Sequence, residues 1–245
     1  MRRFYNDKLT EAGGIVIVSG REAHHMKNVL RLKPGDEIIF TDGRGFDYYS
    51  EIILFDGKNI EINVKKKILN SNESSVDLIL GISMIKGKKI DELIKPLTEI
   101  GVKGIYPFIS RYSVVDIDNK KKKNKVERWV EISKEALKQC ERGLLPEIAP
   151  VSDFKTILNN TDDFDLKIMF YERSDTKIET IYKSYEDVKK VLVLTGPEGG
   201  FSDDEVLLAK KNDFKILSLG PRILRAETAI LSSAVLCQHL FGDIK

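Results

Sequence analysis

The chain has 245 residues, of which 42% are hydrophobic and 32% charged, with a formal net charge of +2 at neutral pH. That length suggests one or two domains, and the apolar content suffices for a proper core, which argues against an intrinsically disordered chain. A charge so close to balance does not announce nucleic acid by itself, and no apolar run approaches the length of a membrane span. The two cysteines, Cys140 and Cys237, lack metal-like spacing, and the N-terminus does not read as a signal peptide. The expectation is a soluble cytoplasmic protein with reduced thiols, no bound metal and no membrane partner.

Residues 2–70 read as mostly β. Gly14-Ile15-Val16-Ile17-Val18 and Glu37-Ile38-Ile39-Phe40 are short β-branched runs, and Asp42-Gly43 and Asp56-Gly57 are hairpin-type turn dipeptides. The second dipeptide sits between two runs, 48–55 and 60–64, which suggests a hairpin. One helix is expected at residues 21–30. At helical spacing His24, Lys27, Asn28 and Arg31 share one face, and Ala23, Met26 and Leu30 share the other.

The polar stretch 70–75 reads as a linker, after which strands alternate with helices. Residues 76–82 form a buried-type strand. In 89–100, apolar Ile90, Leu93, Ile94, Leu97 and Ile100 fall on one helical face, although Pro96 should bend or shorten that helix. Further strands are expected at 104–109, 166–171, 191–194 and 215–219, and a long helix at 125–141. At least five strands in this alternation predict a mainly parallel α/β sheet. Lys120-Lys121-Lys122-Lys123 with Lys125, and Lys65-Lys66-Lys67, are basic runs that suit either a solvated loop or phosphate contact.

Two of the strands open into Gly/Pro loops that lead into helices. The first loop is Thr195-Gly196-Pro197-Glu198-Gly199-Gly200-Phe201, and the second is Gly220-Pro221-Arg222-Ile223-Leu224-Arg225. Neighbouring strand ends of this kind make ligand crevices in α/β folds. The first loop lacks the spacing of a dinucleotide fingerprint and the Gly-Lys-Ser/Thr of a phosphate loop. Ser202-Asp203-Asp204-Glu205 then reads as a capping box with an acidic first turn, which disfavours a phosphate there. A neutral or cationic ligand end fits better; a tight turn with no ligand is the alternative. The last helix, 228–241, is apolar nearly all round (Ile230, Leu231, Ala234, Val235, Leu236, Leu240), so it is buried in the core or against another subunit.

Both loops look like the cofactor core of a SPOUT-superfamily methyltransferase, and the chain as a whole resembles the RsmE family of 16S ribosomal RNA uridine-N3 methyltransferases. The resemblance is carried by Arg3-Phe4-Tyr5, by 24–31 (His-His-Met-Lys-Asn-Val-Leu-Arg), by Gly35-Asp36, and by Lys95 with Glu99-Ile100-Gly101-Val102. It continues through Arg111-Tyr112-Ser113, Glu135-Ala136, Gln139, Arg142 and Pro146, and is most specific at 196–202 and 219–229. Departures are small: Pro96 within a helix, Lys88 where an acidic residue is common, and Ile100 for the usual Leu.

The resemblance implies a PUA-like β-barrel RNA-binding domain at 1–70 and a SPOUT α/β domain with a trefoil knot at 74–245. It implies S-adenosyl-L-methionine as cofactor, a homodimer, and 16S ribosomal RNA in the small subunit as substrate. Its expected cofactor residues are Leu194, Thr195, Gly196, Pro197, Glu198, Gly199, Gly200, Leu219, Gly220, Ile223, Leu224, Arg225, Thr228 and Ala229. Arg3, His24, Lys27, Arg31, Arg111 and Arg142 are expected to hold RNA. Arg225 is expected to stabilise charge on the target base. Glu227 is expected either to accept its proton or to orient Arg225. A ribose 2′-O-methyltransferase would be expected to carry a Ser-Leu-Asn-type final motif, where this chain has Leu224-Arg225-Ala226-Glu227-Thr228-Ala229. A non-catalytic RNA-binding factor of the same fold is the other alternative.

Overall fold

The computed structural model describes residues 1–114, 118–182, 184–185 and 187–245. They form two compact units. The first comprises Met1–Glu73 with Lys134–Leu145, and the second Ser74–Ser133 with Pro146–Lys245.

In the first unit, β1 (Arg2–Tyr5), β2 (Gly14–Val18), β3 (Glu37–Thr41), β4 (Phe46–Asp56) and β5 (Asn59–Leu69) make one sheet in the order β1-β3-β4-β5-β2. The β1–β3 pair is parallel and the other ladders are antiparallel. The predicted hairpin joins β4 to β5, with Gly57 at φ 58° in its turn. Phe4, Met26, Ile38, Phe40, Tyr48, Ile52, Ile60 and Ile62 close the core, each 1% exposed or less. The predicted helix is α1 (Gly20–His24), which widens into a π-turn at His25–Val29, where the Leu30 N–H reaches the His25 carbonyl. Ala23 and Met26 face the core with Leu30 partly buried beside them, and His24, Lys27 and Asn28 are exposed; Arg31 is exposed too, but it lies beyond the helix at φ 53° rather than on its face.

The first unit does not end with the linker. Leu145 N–H donates to the Gly43 carbonyl and Gly45 N–H to that of Gly143. Glu73 accepts from the Gly143 and Leu144 amides at 2.9 and 2.8 Å. A single cut in the sequence between 70 and 74 therefore misses a returning segment. No periodicity marks it, because its attachments are backbone amides and one carboxylate.

The second unit holds β6 (Asp77–Ser83), α2 (Lys89–Glu99), β7 (Gly104–Ile109), α3 (Asn119–Cys140, continuing into the first unit), β8 (Glu147–Ile148), β9 (Ser152–Asp153) and α4 (Phe154–Asn159). It continues with β10 (Leu166–Phe170), α5 (Glu179–Tyr182), β11 (Lys190–Thr195), α6 (Asp203–Lys211), β12 (Lys215–Leu217) and α7 (Ala226–Phe241). The strand order is β12-β10-β11-β6-β7-β8, with β9 also on β7, and every ladder described is parallel.

Alternate residues feed two cores. Leu78, Leu80, Ile82, Val191 and Val193 pack with α2 and α7, while Ile79, Leu192 and Leu194 pack with α4 and α6. Burial on both faces makes these strands continuous apolar runs. Pro96 does not shorten α2, which continues through Glu99. Ile90, Leu93, Ile94 and Leu97 are 3% exposed or less, and burying that stripe outweighs the one intrahelical hydrogen bond a proline forfeits.

Candidate active site

Three parallel strands, β12, β10 and β11, lie side by side, so their C-terminal ends meet at one edge of the sheet. A cleft opens there. Its walls come from the end of β10 (Phe170, Tyr171, Glu172), the loop after β11 (Thr195, Gly196, Pro197, Gly200, Phe201), and the segment from β12 into α7 (Leu219, Gly220, Arg222, Leu224, Ala226, Ala229). Gly200 has φ 69°, and a Cβ there would meet the Glu172 carboxylate at 2.6 Å. Gly220 has φ 111°, which likewise favours glycine. Ser202 and Glu205 form the predicted capping box at the start of α6, beside Asp203 and Asp204.

Eight of the expected cofactor residues line this cleft: Thr195, Gly196, Pro197, Gly200, Leu219, Gly220, Leu224 and Ala229. Leu194 is fully buried in the sheet core. Ile223 is 88% exposed, and Arg225 and Thr228 are also exposed outside the cleft lining. Gly199 backs onto Tyr112, whose Cβ stands 3.0 Å from where a Gly199 side chain would begin. Phe170, Tyr171, Glu172, Phe201, Arg222 and Ala226 were not assigned from sequence. The β10 end could not be, because β10 precedes β11 in the chain while the sheet inserts it between β11 and β12.

Glu227, in the first turn of α7, does not pair with Arg225. Its carboxylate accepts from Lys89 Nζ at 2.8 Å, and the same ammonium reaches Glu198 at 3.2 Å. The Lys89 hydrogen bond, with help from the Glu227 backbone amide, holds the Glu227 carboxyl below its ordinary pKa. Burial works to raise Glu198, but its own backbone amide, Lys89 and the Lys86 amide more than offset that and leave it lowered too. Lys89 is raised in turn by Glu227 and Glu198. Arg225 is the N-cap of α7, and its guanidinium makes no hydrogen bond among the described residues. A cation is electrostatically disfavoured at a helix N-terminus, so local stability does not explain this residue.

Residues 72–238 match the RNA methyltransferase domain family, and residues 18–65 match the RNA methyltransferase PUA domain family. Ribosomal RNA small subunit methyltransferase E of Bacillus subtilis is 34% identical over 219 residues, covering 87% of this chain and 86% of the relative. Its namesake in Buchnera aphidicola subsp. Acyrthosiphon pisum is 32% identical, covering 99% and 95%. The chain belongs to the small subunit ribosomal RNA methyltransferase E family. The crystal structure of the Neisseria gonorrhoeae member bound to S-adenosyl methionine superposes with a TM-score of 0.91 at 27% identity, covering 100% of both chains. A Legionella pneumophila protein in complex with the same cofactor gives 0.89 at 27% identity, covering 98% of each. The α/β methyltransferase unit with a PUA-type N-terminal unit is thus the fold of this family.

The six family positions expected to hold RNA divide sharply by environment. Arg142 is 3% exposed and its guanidinium grips Glu73, with Nη2 to Oε2 at 2.8 Å. The Arg3 side chain is 8% exposed and pairs with Asp47, which also accepts from Asn70. Both hold the first unit together, Arg142 buried and Arg3 half-buried over the whole residue, with their guanidinium groups already paired to carboxylates. Arg111 is exposed but engaged by Asp204 at 2.9 Å, while its backbone N–H donates to Glu205. His24, Lys27 and Arg31 remain on an open surface, with Lys27 donating to the Gly57 carbonyl at 3.0 Å. In the 65–67 run, Lys65 bridges Glu37 and Glu51, and Lys67 lies over the Phe46 ring. The 120–125 run forms the first turns of α3 rather than a loop.

Proposed function

We propose that this chain is an S-adenosyl-L-methionine-dependent methyltransferase that methylates N3 of a specific uridine in 16S ribosomal RNA. It acts in the cytoplasm on the assembled small subunit, as a homodimer with a trefoil-knotted second unit. The observation that carries this reading is the cleft at the β10, β11 and β12 ends, in a chain whose fold follows that of a relative solved with the cofactor.

The residues present suit that cofactor. Phe170, Pro197, Phe201, Leu219 and Leu224 give the cleft an apolar lining for an adenine ring. Glu172 and Arg222 supply opposite charges for an ammonium and a carboxylate, and the acidic start of α6 discourages a phosphate. Bound there, the cofactor would supply a methyl group carried on a cationic sulfur, with a neutral thioether as the leaving group.

The chain's own residues have three tasks. N3 of uracil must be presented on an unpaired base, because it lies on the Watson–Crick edge. The N3 proton must leave, and the charge that spreads to the flanking carbonyl oxygens must be met. Arg225 meets it: it is exposed and makes no hydrogen bond among the described residues, at the N-terminus of α7, whose dipole also favours an anion. Lys89 lowers the Glu227 carboxyl, which weakens it as a base and favours an electrostatic and structural role over proton acceptance. His24, Lys27 and Arg31 contact RNA phosphates.

The dimer rests on the second face of α7. Ile230, Ala234, Cys237 and Phe241 are buried, while Val235 is 41% exposed beside half-buried Leu231 and Leu236. With Leu219, Ser232 and His239 these form a shallow, mostly apolar depression suited to a second copy. Calorimetry tests the central step of the reading. S-adenosylmethionine or its demethylated product should bind and NAD should not; equal binding of NAD would overturn it.

A further inference from the structure

We propose that Lys89 is a positioning residue for methyl transfer, clamping the loop after β11 to the first turn of α7. The proposal rests on the cofactor reading above. Lys89 is the first residue of α2, and its one ammonium reaches Glu198 Oε1 at 3.2 Å and Glu227 Oε1 at 2.8 Å. Glu198 follows Pro197 and Glu227 follows Ala226, and both of those neighbours line the cleft. The ammonium therefore ties opposite walls of the cleft together from outside. Glu198 is fixed further by the Lys86 backbone N–H at 3.3 Å.

The second wall needs such a tie. Among the described residues, no backbone N–H of Arg222, Ile223 or Leu224 donates a hydrogen bond, so the segment is held at its ends. One end is Gly220, anchored by Ser218, and the other is the first turn of α7, where Glu227 sits. Arg225 lies two residues before Glu227, so the clamp also fixes the backbone that carries Arg225.

Without the ammonium, Glu198 and Glu227 would face each other as like charges, with Arg225 the remaining cation whose field reaches Glu227. Their repulsion would push the two walls apart, and protonating one carboxyl would relieve it. This gives the clamp a pH signature that loss of packing would not have. A cation of different shape can hold both carboxylates, so Lys89→Arg should preserve most of the function.

The test is calorimetric titration of the full-length protein with S-adenosylmethionine between pH 5.5 and 8.5. Lys89→Met should weaken binding about three- to tenfold at pH 8, and affinity should return towards wild type as pH falls. Lys89→Arg should bind nearly as wild type. The double variant Lys89→Met with Glu198→Gln should lose the pH dependence. Wild-type affinity in Lys89→Met at every pH would overturn the clamp, as would a loss that acid does not repair. Absence of binding by the wild-type protein in the same titration would instead overturn the cofactor reading, and the clamp with it.

Discussion

At the scale of single residues, the site separates groups that hold the chain from groups left free to act. Arg142 and Arg225 show the difference. The first is buried against Glu73, so Arg142→Ala strands a carboxylate that also anchors two backbone amides. Breaking such a pair should cost about 2–4 kcal/mol of stability, seen as a lower urea midpoint with cofactor affinity unchanged. An unaltered midpoint would mean that water replaces the guanidinium freely. Arg225→Ala should leave the fold and cofactor affinity intact and slow single-turnover methyl transfer roughly 10²–10³-fold, as for loss of an oxyanion-type donor. Arg225→Lys should recover part of that rate. A wild-type rate in the alanine variant would remove Arg225 from the chemistry. Gly200→Val should abolish cofactor binding, because φ 69° and the Glu172 carboxylate both exclude a side chain there. Retained affinity would place the cofactor elsewhere. Glu198 and Glu227 both titrate below their usual 4.5 in the folded chain, so their stabilisation is complete above that pH and is lost as pH falls through the lowered values. These two carboxylates should accordingly add no pH dependence to wild-type cofactor affinity between pH 8 and 5.5.

At the scale of elements, much was legible because local pattern and tertiary role agree. The β7 strand, the 56–57 hairpin, the apolar stripe of α2 and the acidic capping box of α6 each follow from spacing alone. What was not legible depends on neighbours far away in sequence. The end of β10 belongs to the cleft because of strand order, and β8, β9 and α4 are too short to carry a period. Among the cations, sequence shows charge but not the carboxylate that consumes it, so Arg3 and Arg142 looked like Lys27 and Arg31. The exposed surface around residues 24–31 is the place where that ambiguity can be tested. Lys27→Ala with Arg31→Ala should weaken RNA binding and flatten its dependence on salt, since fewer counterions are released, with cofactor affinity unchanged. An unchanged salt slope would make this face ordinary solvated surface.

At the scale of the whole molecule, the proposed dimer rests on the exposed side of α7. Val235→Glu with Leu231→Glu should convert a dimer into a monomer in light scattering, because two carboxylates would enter an apolar contact. A monomeric wild-type protein at micromolar concentration would contradict the dimer. No helix among the described residues is long and apolar enough to cross a membrane. The central claim is the reaction itself, and one measurement addresses it most directly. Small ribosomal subunits lacking the modification are incubated with the protein and methyl-labelled S-adenosylmethionine, and the labelled nucleoside is then mapped. The account predicts one methyl group per subunit, on N3 of a single uridine in 16S ribosomal RNA. Label on a ribose 2′-oxygen, or no transfer by a protein that binds the cofactor, would contradict it.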